Sequence, residues 1–192
     1  MKYPLYVLLF FLFASCSSTP LEIDNPSNKA LEIKIGDNDP IMLKAYENKT
    51  IFTSSKEQEV FVDGVSKGII QLTGDKEYFL NPTLAKYYIE KVTYGQDIQS
   101  TVYDMMRKKG MKLPEKKDEI EMQIFEFGDF PYIGNAKVDS NLLIKKIWSL
   151  GVHDKLPKQV KTTGSSAIRK KIYREEFFIK HAEAIYKKAM KE

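Results

Sequence analysis

The chain is poor in the residues that most site chemistry relies on: 192 residues carry one cysteine, Cys16, two histidines, His153 and His181, and one tryptophan. A single thiol cannot close an internal disulfide, so stability has to come from a packed core. Structural zinc takes four ligands drawn largely from Cys and His, and this inventory is too thin and too scattered to supply them. A Ser-His-acid triad runs short for the same reason, with His153 in a loop and His181 on a terminal helix. No glycine-rich phosphate loop is present, which argues against nucleotide use, and no cofactor is expected. A long hydrophobic run is missing too. The Leu/Phe-rich stretch from Leu5 to Ala14 is broken by Ser15, Cys16, Ser17, Ser18 and Pro20, well short of the roughly 20 apolar residues of a spanning helix.

What is present begins at the N-terminus. Met1 and Lys2 give a positive start, the apolar run follows, and small residues lead to Cys16, which is the grammar of a secretory signal peptide. With the sole cysteine directly after the cut, the segment resembles a bacterial lipoprotein signal, departing from it at Phe13, where that family usually has leucine. The resemblance implies removal of residues 1–15, lipid on the Cys16 sulfur and a mature chain that starts there. Each buried methylene contributes about 0.8 kcal/mol, so one acyl chain holds only marginally and the several chains of such proteins make attachment durable. It further implies an exported, membrane-anchored protein. Ser17 stands where inner-membrane-retained lipoproteins of enteric bacteria often have aspartate, so the outer membrane is favoured over the inner. Nucleic acid is then in the wrong compartment to be a partner.

Beyond Pro20 the pattern is mainly β. Leu31, Ile33 and Ile35 alternate with Glu32 and Lys34, Gly36-Asp37-Asn38-Asp39-Pro40 supplies a turn, and Ile41 and Leu43 alternate again. Short apolar pieces follow at Thr50 to Phe52, Val60 to Val62, Ile69 to Leu72, Tyr78 to Leu80 and Tyr87 to Tyr94, separated by turn residues such as Asp63-Gly64 and Asn81-Pro82. This rhythm predicts a small β-sandwich. It is similar to the Ig-like and PEGA-like β modules of bacterial envelope proteins, a fold-level likeness that implies no function. Ile98, Val102, Met105 and Met106 recur at helical spacing between Asp97 and Gly110, and the charged, Pro114-containing stretch 111–119 reads as a linker.

Further on, Ile120, Met122 and Ile124 alternate, Gly128 to Pro131 breaks the run, and Leu142 to Leu150 fits a strand somewhat better than a helix. Ile168 to Tyr173 reads as a strand. Glu175 to Met190 reads as an amphipathic helix with an apolar stripe of Phe178, Ala182, Ile185, Tyr186 and Ala189. The expected fold class is mainly β / α+β, an N-terminal small β-sandwich followed by a smaller α+β unit with a C-terminal amphipathic helix. Residues 1–15 are a cleaved signal, 16–20 a tether, 21–110 the sandwich with a trailing helix, and 120–192 the α+β domain.

Few candidates for chemistry emerge. Gly64-Val65-Ser66-Lys67-Gly68 fits the Gly-x-Ser-x-Gly pattern of a hydrolase elbow, but that elbow joins a strand to a helix, whereas β-rich runs flank this one and a hairpin turn is expected. Asp37, Asn38 and Asp39 lack the glycine and distal glutamate of a calcium loop. No metal site is expected. Glu126 and Asp129 are a carboxylate pair that an enzyme acting on glycan would need.

Two binding surfaces are expected instead. Residues 16–95 hold nine lysines against twelve acids, and residues 96–192 hold twenty Lys or Arg against fourteen acids. In the basic half Lys155, Lys158, Lys161, Arg169, Lys170, Lys171 and Arg174 could meet an anionic envelope partner, with the solvated face of a strand as the plainer reading. Tyr87, Tyr88 and Tyr94 could form an aromatic surface for sugar or protein, or fill a core. Adjacent Tyr87 and Tyr88 must face opposite sides of a strand. The expected function is that of a lipid-anchored, non-enzymatic envelope protein binding an envelope protein, glycan or assembly partner. The alternatives are an enzyme acting on cell-wall or exported glycan, and a lipoprotein that neutralises an envelope toxin.

Overall fold

The computed structural model describes residues 18–54, 56–94, 123–127, 130–160 and 167–189, which are mainly β with one C-terminal helix. Two compact units divide between Pro82 and Thr83. The expected helix near 97–110 and the linker at 111–119 lie outside the described residues.

Seven strands build the first unit: β1 (Ser18–Asp24), β2 (Leu31–Ile35), β3 (Ile41–Leu43), β4 (Asn48–Ser54), β5 (Glu57–Val62), β6 (Val65–Gln71) and β7 (Tyr78–Leu80). One sheet runs β7-β1-β4 and the other β3-β2-β5-β6. Strand β1 pairs antiparallel with β4 along all of its length, from Ser18 opposite Ser54 to Asp24 opposite Asn48, and parallel with β7. In β2 burial alternates strictly, with Leu31, Ile33 and Ile35 inside and Glu32 and Lys34 outside. Leu21, Ile23, Leu43, Val60, Val62 and Ile70 complete that interior. Full burial of such side chains contributes about 1.5–3 kcal/mol each, the favourable term that works against the entropy of ordering a unit with no disulfide.

Polar groups inside the unit are satisfied. Asn25, fully buried, donates from Nδ2 to the carbonyls of Lys29 (2.7 Å) and Lys44 (2.8 Å), while its Oδ1 accepts from the Ser27 amide and hydroxyl. One side chain thus fastens the β1–β2 and β3–β4 connections together. The Thr53 hydroxyl donates to Gln58 Oε1 at 3.0 Å across the passage from β4 to β5, which carries the chain from one sheet to the other. The turn after β2 is wired in the same way: Gly36 has φ +54°, and Asn38 Nδ2 donates to the Thr53 hydroxyl at 3.2 Å.

The second unit places β8 (Tyr87–Tyr94) between β11 (Ala136–Asp139) and β13 (Ala167–Arg174), all antiparallel. Tyr87–Tyr94, read from sequence with the first domain, therefore belongs to this unit. Strands β9 (Gln123–Phe127) and β10 (Phe130–Gly134) form a separate antiparallel pair, and β12 (Leu143–Lys145) is the short strand of the 142–150 stretch. The helix α1 (Glu175–Ala189) follows β13 directly. Glu175 and Glu176 occupy its first turn and Lys187 and Lys188 its last, each complementing the helix dipole. Phe178 and Ala182 are buried against Tyr88, Ala136 and Tyr173, which fixes α1 on one face of the β11-β8-β13 sheet.

Candidate functional site

The period of two along β8 and β13 assembles a polar cluster under α1. Tyr88 and Glu90 share one face of β8, and in register with them stand Tyr173 and Lys171 of β13. His181 on α1 brings Nε2 to 3.1 Å from Glu90 Oε2, a carboxylate oxygen shielded from solvent. Aromatic rings close the cluster. Tyr88 stacks on Phe178 with centroids 4.3 Å apart and planes 9° apart, and Tyr173 stacks on the His181 imidazole at 5.1 Å.

Lys171 sits in the floor of this cluster, only 5% exposed. Its ammonium donates to the carbonyls of Gly151 (2.8 Å) and Asp154, and lies 4.7 Å from the centre of the Tyr173 ring. The segment supplying those carbonyls is pinned to β13 by backbone bonds, the Leu150 amide to the Lys170 carbonyl and the Ile172 amide back to the Leu150 carbonyl. Burial lowers the Lys171 pKa from its ordinary 10.5, opposed by the negative charges of Asp154 and Glu90.

The tyrosines shift the other way. Burial and then Glu90 push the Tyr173 hydroxyl well above its ordinary 10.0, and burial followed by a carboxylate, Glu175 for Tyr88 and Glu90 for Tyr94, raises the other two. Tyr173 makes no hydrogen bond of ordinary geometry among the described residues, yet Glu90 is close enough for its charge to oppose ionisation. Because the folded pKa values are raised, the stability they contribute is complete below pH 10.0 and is lost as pH climbs from there towards the folded values. Tyr173→Phe is expected to flatten that alkaline loss by about 1.4 kcal/mol per pH unit, seen in urea midpoints measured either side of pH 10. Identical slopes for variant and wild type would contradict the burial of this hydroxyl. The cluster is a sealed polar joint between sheet and helix, with His181 its one partly exposed member.

The first unit offers an open surface instead. On the outer face of β3-β2-β5-β6, register places Met42 beside Glu32, Lys34 beside Phe61, Phe61 beside Ser66 and Glu59 beside Ile69. Met42 is 62% and Ile69 64% exposed, and a pocket of about 140 Å³ is lined by Glu32, Lys34, Phe61 and Gly64. Asp63 and Gly64 both take positive φ, +49° and +75°, which a two-residue type I′ hairpin turn requires. Ser66 follows in strand β6 and donates to Glu59 Oε1 at 2.5 Å. The Gly-x-Ser-x-Gly segment is thus a hairpin on this face, without the strand-to-helix turn of a nucleophile elbow.

The other sequence candidates scatter. Of the basic set, Lys155, Lys158 and Arg169 are exposed and Lys170 half-buried, Lys171 and Arg174 are buried, and Lys161 lies outside the described residues. Strand alternation also turns Lys170 away from Arg169 and Lys171, so these cations do not share one surface. Tyr87 and Tyr88 are both buried, on opposite faces, which leaves Tyr94 as the half-exposed member of that trio. Glu126 stands in β9 opposite Pro131, and Asp129 lies outside the described residues. Cys16 lies outside them too, with β1 starting two residues later. Among the described residues no three or more His, Cys, Asp or Glu converge as a metal site, and no helix is long and apolar enough to cross a membrane.

The meeting of Glu90, Tyr173 and His181 is not readable from sequence because it is non-local. The available signal was the alternation of Tyr88 with Glu90 and of Lys171 with Tyr173. Set against known proteins, the chain matches no family model, no curated sequence and no solved structure.

Proposed function

We propose that this is a lipid-anchored protein of the bacterial cell envelope, held through Cys16 in the outer membrane, which binds an envelope protein without catalysing a reaction. The anchor rests on the N-terminal sequence. The binding role rests on the outer face of β3-β2-β5-β6, where exposed Met42 and Ile69 flank a pocket bordered by Glu32 and Lys34. Small-molecule sites run to about 300–1,000 Å³, so a pocket of about 140 Å³ suits one inserted side chain. Apolar anchors interleaved with charges of both signs are the make-up of a protein-binding patch with a polar rim.

Photo-crosslinking in intact cells tests this. A photoreactive residue at Met42 or Ile69 is expected to give a discrete adduct with one envelope protein, and the yield to fall several-fold when Lys34→Glu and Phe61→Ser are added. The same residue at Lys145, exposed in the second unit, is the control. Equal adducts at all three positions, or none at Met42 and Ile69, would remove the face from consideration.

A further inference from the structure

Strand β1 starts at Ser18, so Ser17 is the one residue between Cys16 and the folded sheet. A chain rises at most about 3.6 Å per residue, which keeps the Ser18 end of β1 within about 7 Å of the Cys16 backbone and Pro20 within about 14 Å. A lipid on Cys16 would therefore hold this end of the sandwich at the membrane surface, with no long linker to let it drift away. Directly across from Pro20 is Phe52 of β4, the edge strand of the β7-β1-β4 order. Its side chain is 72% exposed, the highest figure among the exposed large hydrophobic side chains of the described residues.

We propose that Phe52, with Pro20 beside it, is a second membrane contact, seated in the lipid interface next to the acylated Cys16. This rests on the lipid-anchor reading. Opposed residues on antiparallel strands lie about 5 Å apart, so Phe52 is nearly as close to the anchor as Pro20 is. An apolar group at that level buries about 5–10 Å into the boundary between headgroups and acyl chains. Tethering makes the step intramolecular, so one ring suffices where it would never hold a free protein. Charge argues that the contact is apolar: Asp37 and Lys56 at the same end of the unit face each other at 4.0 Å, largely cancelling, and Glu57 adds a further acid. The contact should therefore not depend on anionic lipid.

Brominated phosphatidylcholine, which quenches indole fluorescence on contact, provides the test. Full-length wild type, Phe52→Trp and, as a remote control on the outer face of β2, Glu32→Trp are purified from membranes and reconstituted in vesicles of plain or brominated phosphatidylcholine. Wild type gives the Trp148 baseline. With interfacial depth as above, Phe52→Trp should lose about half of its added emission in brominated vesicles, and Glu32→Trp almost none. The loss should be unchanged when a fifth or so of the lipid is made anionic. Intact mass of the same samples reports the lipid on Cys16. Acylated protein without extra quenching at position 52 overturns the contact alone, whereas protein without lipid on Cys16 overturns the anchor reading and the contact with it.

Discussion

Lys171→Met is expected to lower the unfolding free energy by about 3–5 kcal/mol, the usual cost of removing one partner from a buried charged arrangement. Methionine keeps much of the apolar stem, so the loss isolates the ammonium. In its place would remain two carbonyls, of Gly151 and Asp154, deprived of their donor, and a Glu90 carboxylate that has lost the positive charge paired with it in strand register. Hydrogen bonds to a charged group contribute about 1.5–3 kcal/mol apiece. Urea unfolding should show a lower midpoint at unchanged slope, because the surface exposed on unfolding is the same. Lys155→Met and Lys158→Met, exposed members of the same basic stretch, should stay within about 0.5 kcal/mol of wild type. Equal effects at all three lysines would mean that Lys171 is another surface cation.

That contrast also marks how far the sequence could be read. Strands β2 and β5 were legible because one face of each meets the core and the other meets water, so hydrophobicity alternates, as in Leu31-Glu32-Ile33-Lys34-Ile35, whereas β7, buried throughout, was legible as the unbroken apolar run Tyr78-Phe79-Leu80. Asp63-Gly64 was legible for a second reason: two successive positive φ angles leave little choice of residue. Strand β1 was not. Acidic Glu22 and Asp24 interrupt its apolar residues, yet both are buried, with Asn48 Nδ2 donating to Glu22 at 3.0 Å, so polarity and burial part company along it. Strand β8 was seen as a strand, but its partners were not, since pairing with β11 and β13 joins residues as far apart in sequence as Glu90 and Ala136 or Tyr87 and Arg174.

The second unit defeated local reading more often. Pro131 looked like a break and lies within β10, where a two-stranded sheet leaves every strand at an edge and a missing amide costs little. The basic stretch looked like one surface because seven cations fall within twenty residues. Strand alternation splits them, and the buried C-terminal half of β13 takes Lys171 and Arg174 inward with it. The Glu90 and His181 pair needs a strand and a helix ninety residues apart to meet. No spacing rule encodes that.

Cys16→Ala carries the largest expected effect of all, a change of compartment. On the proposed reading, the several acyl chains on Cys16 would bury many methylenes at about 0.8 kcal/mol each and confine the chain to the membrane, an attachment that a single Phe52 contact cannot replace. Alanine has no sulfur to acylate. The variant should leave the membrane fraction or remain as an unprocessed precursor, and incorporate no labelled fatty acid. The most direct measurement is the mass of the N-terminal peptide of the wild-type protein isolated from membranes. A peptide that begins at Cys16 and carries lipid on it is the result expected of a lipid-anchored envelope protein. A peptide that still contains residues 1–15, or one that begins elsewhere with Cys16 unmodified, would contradict it.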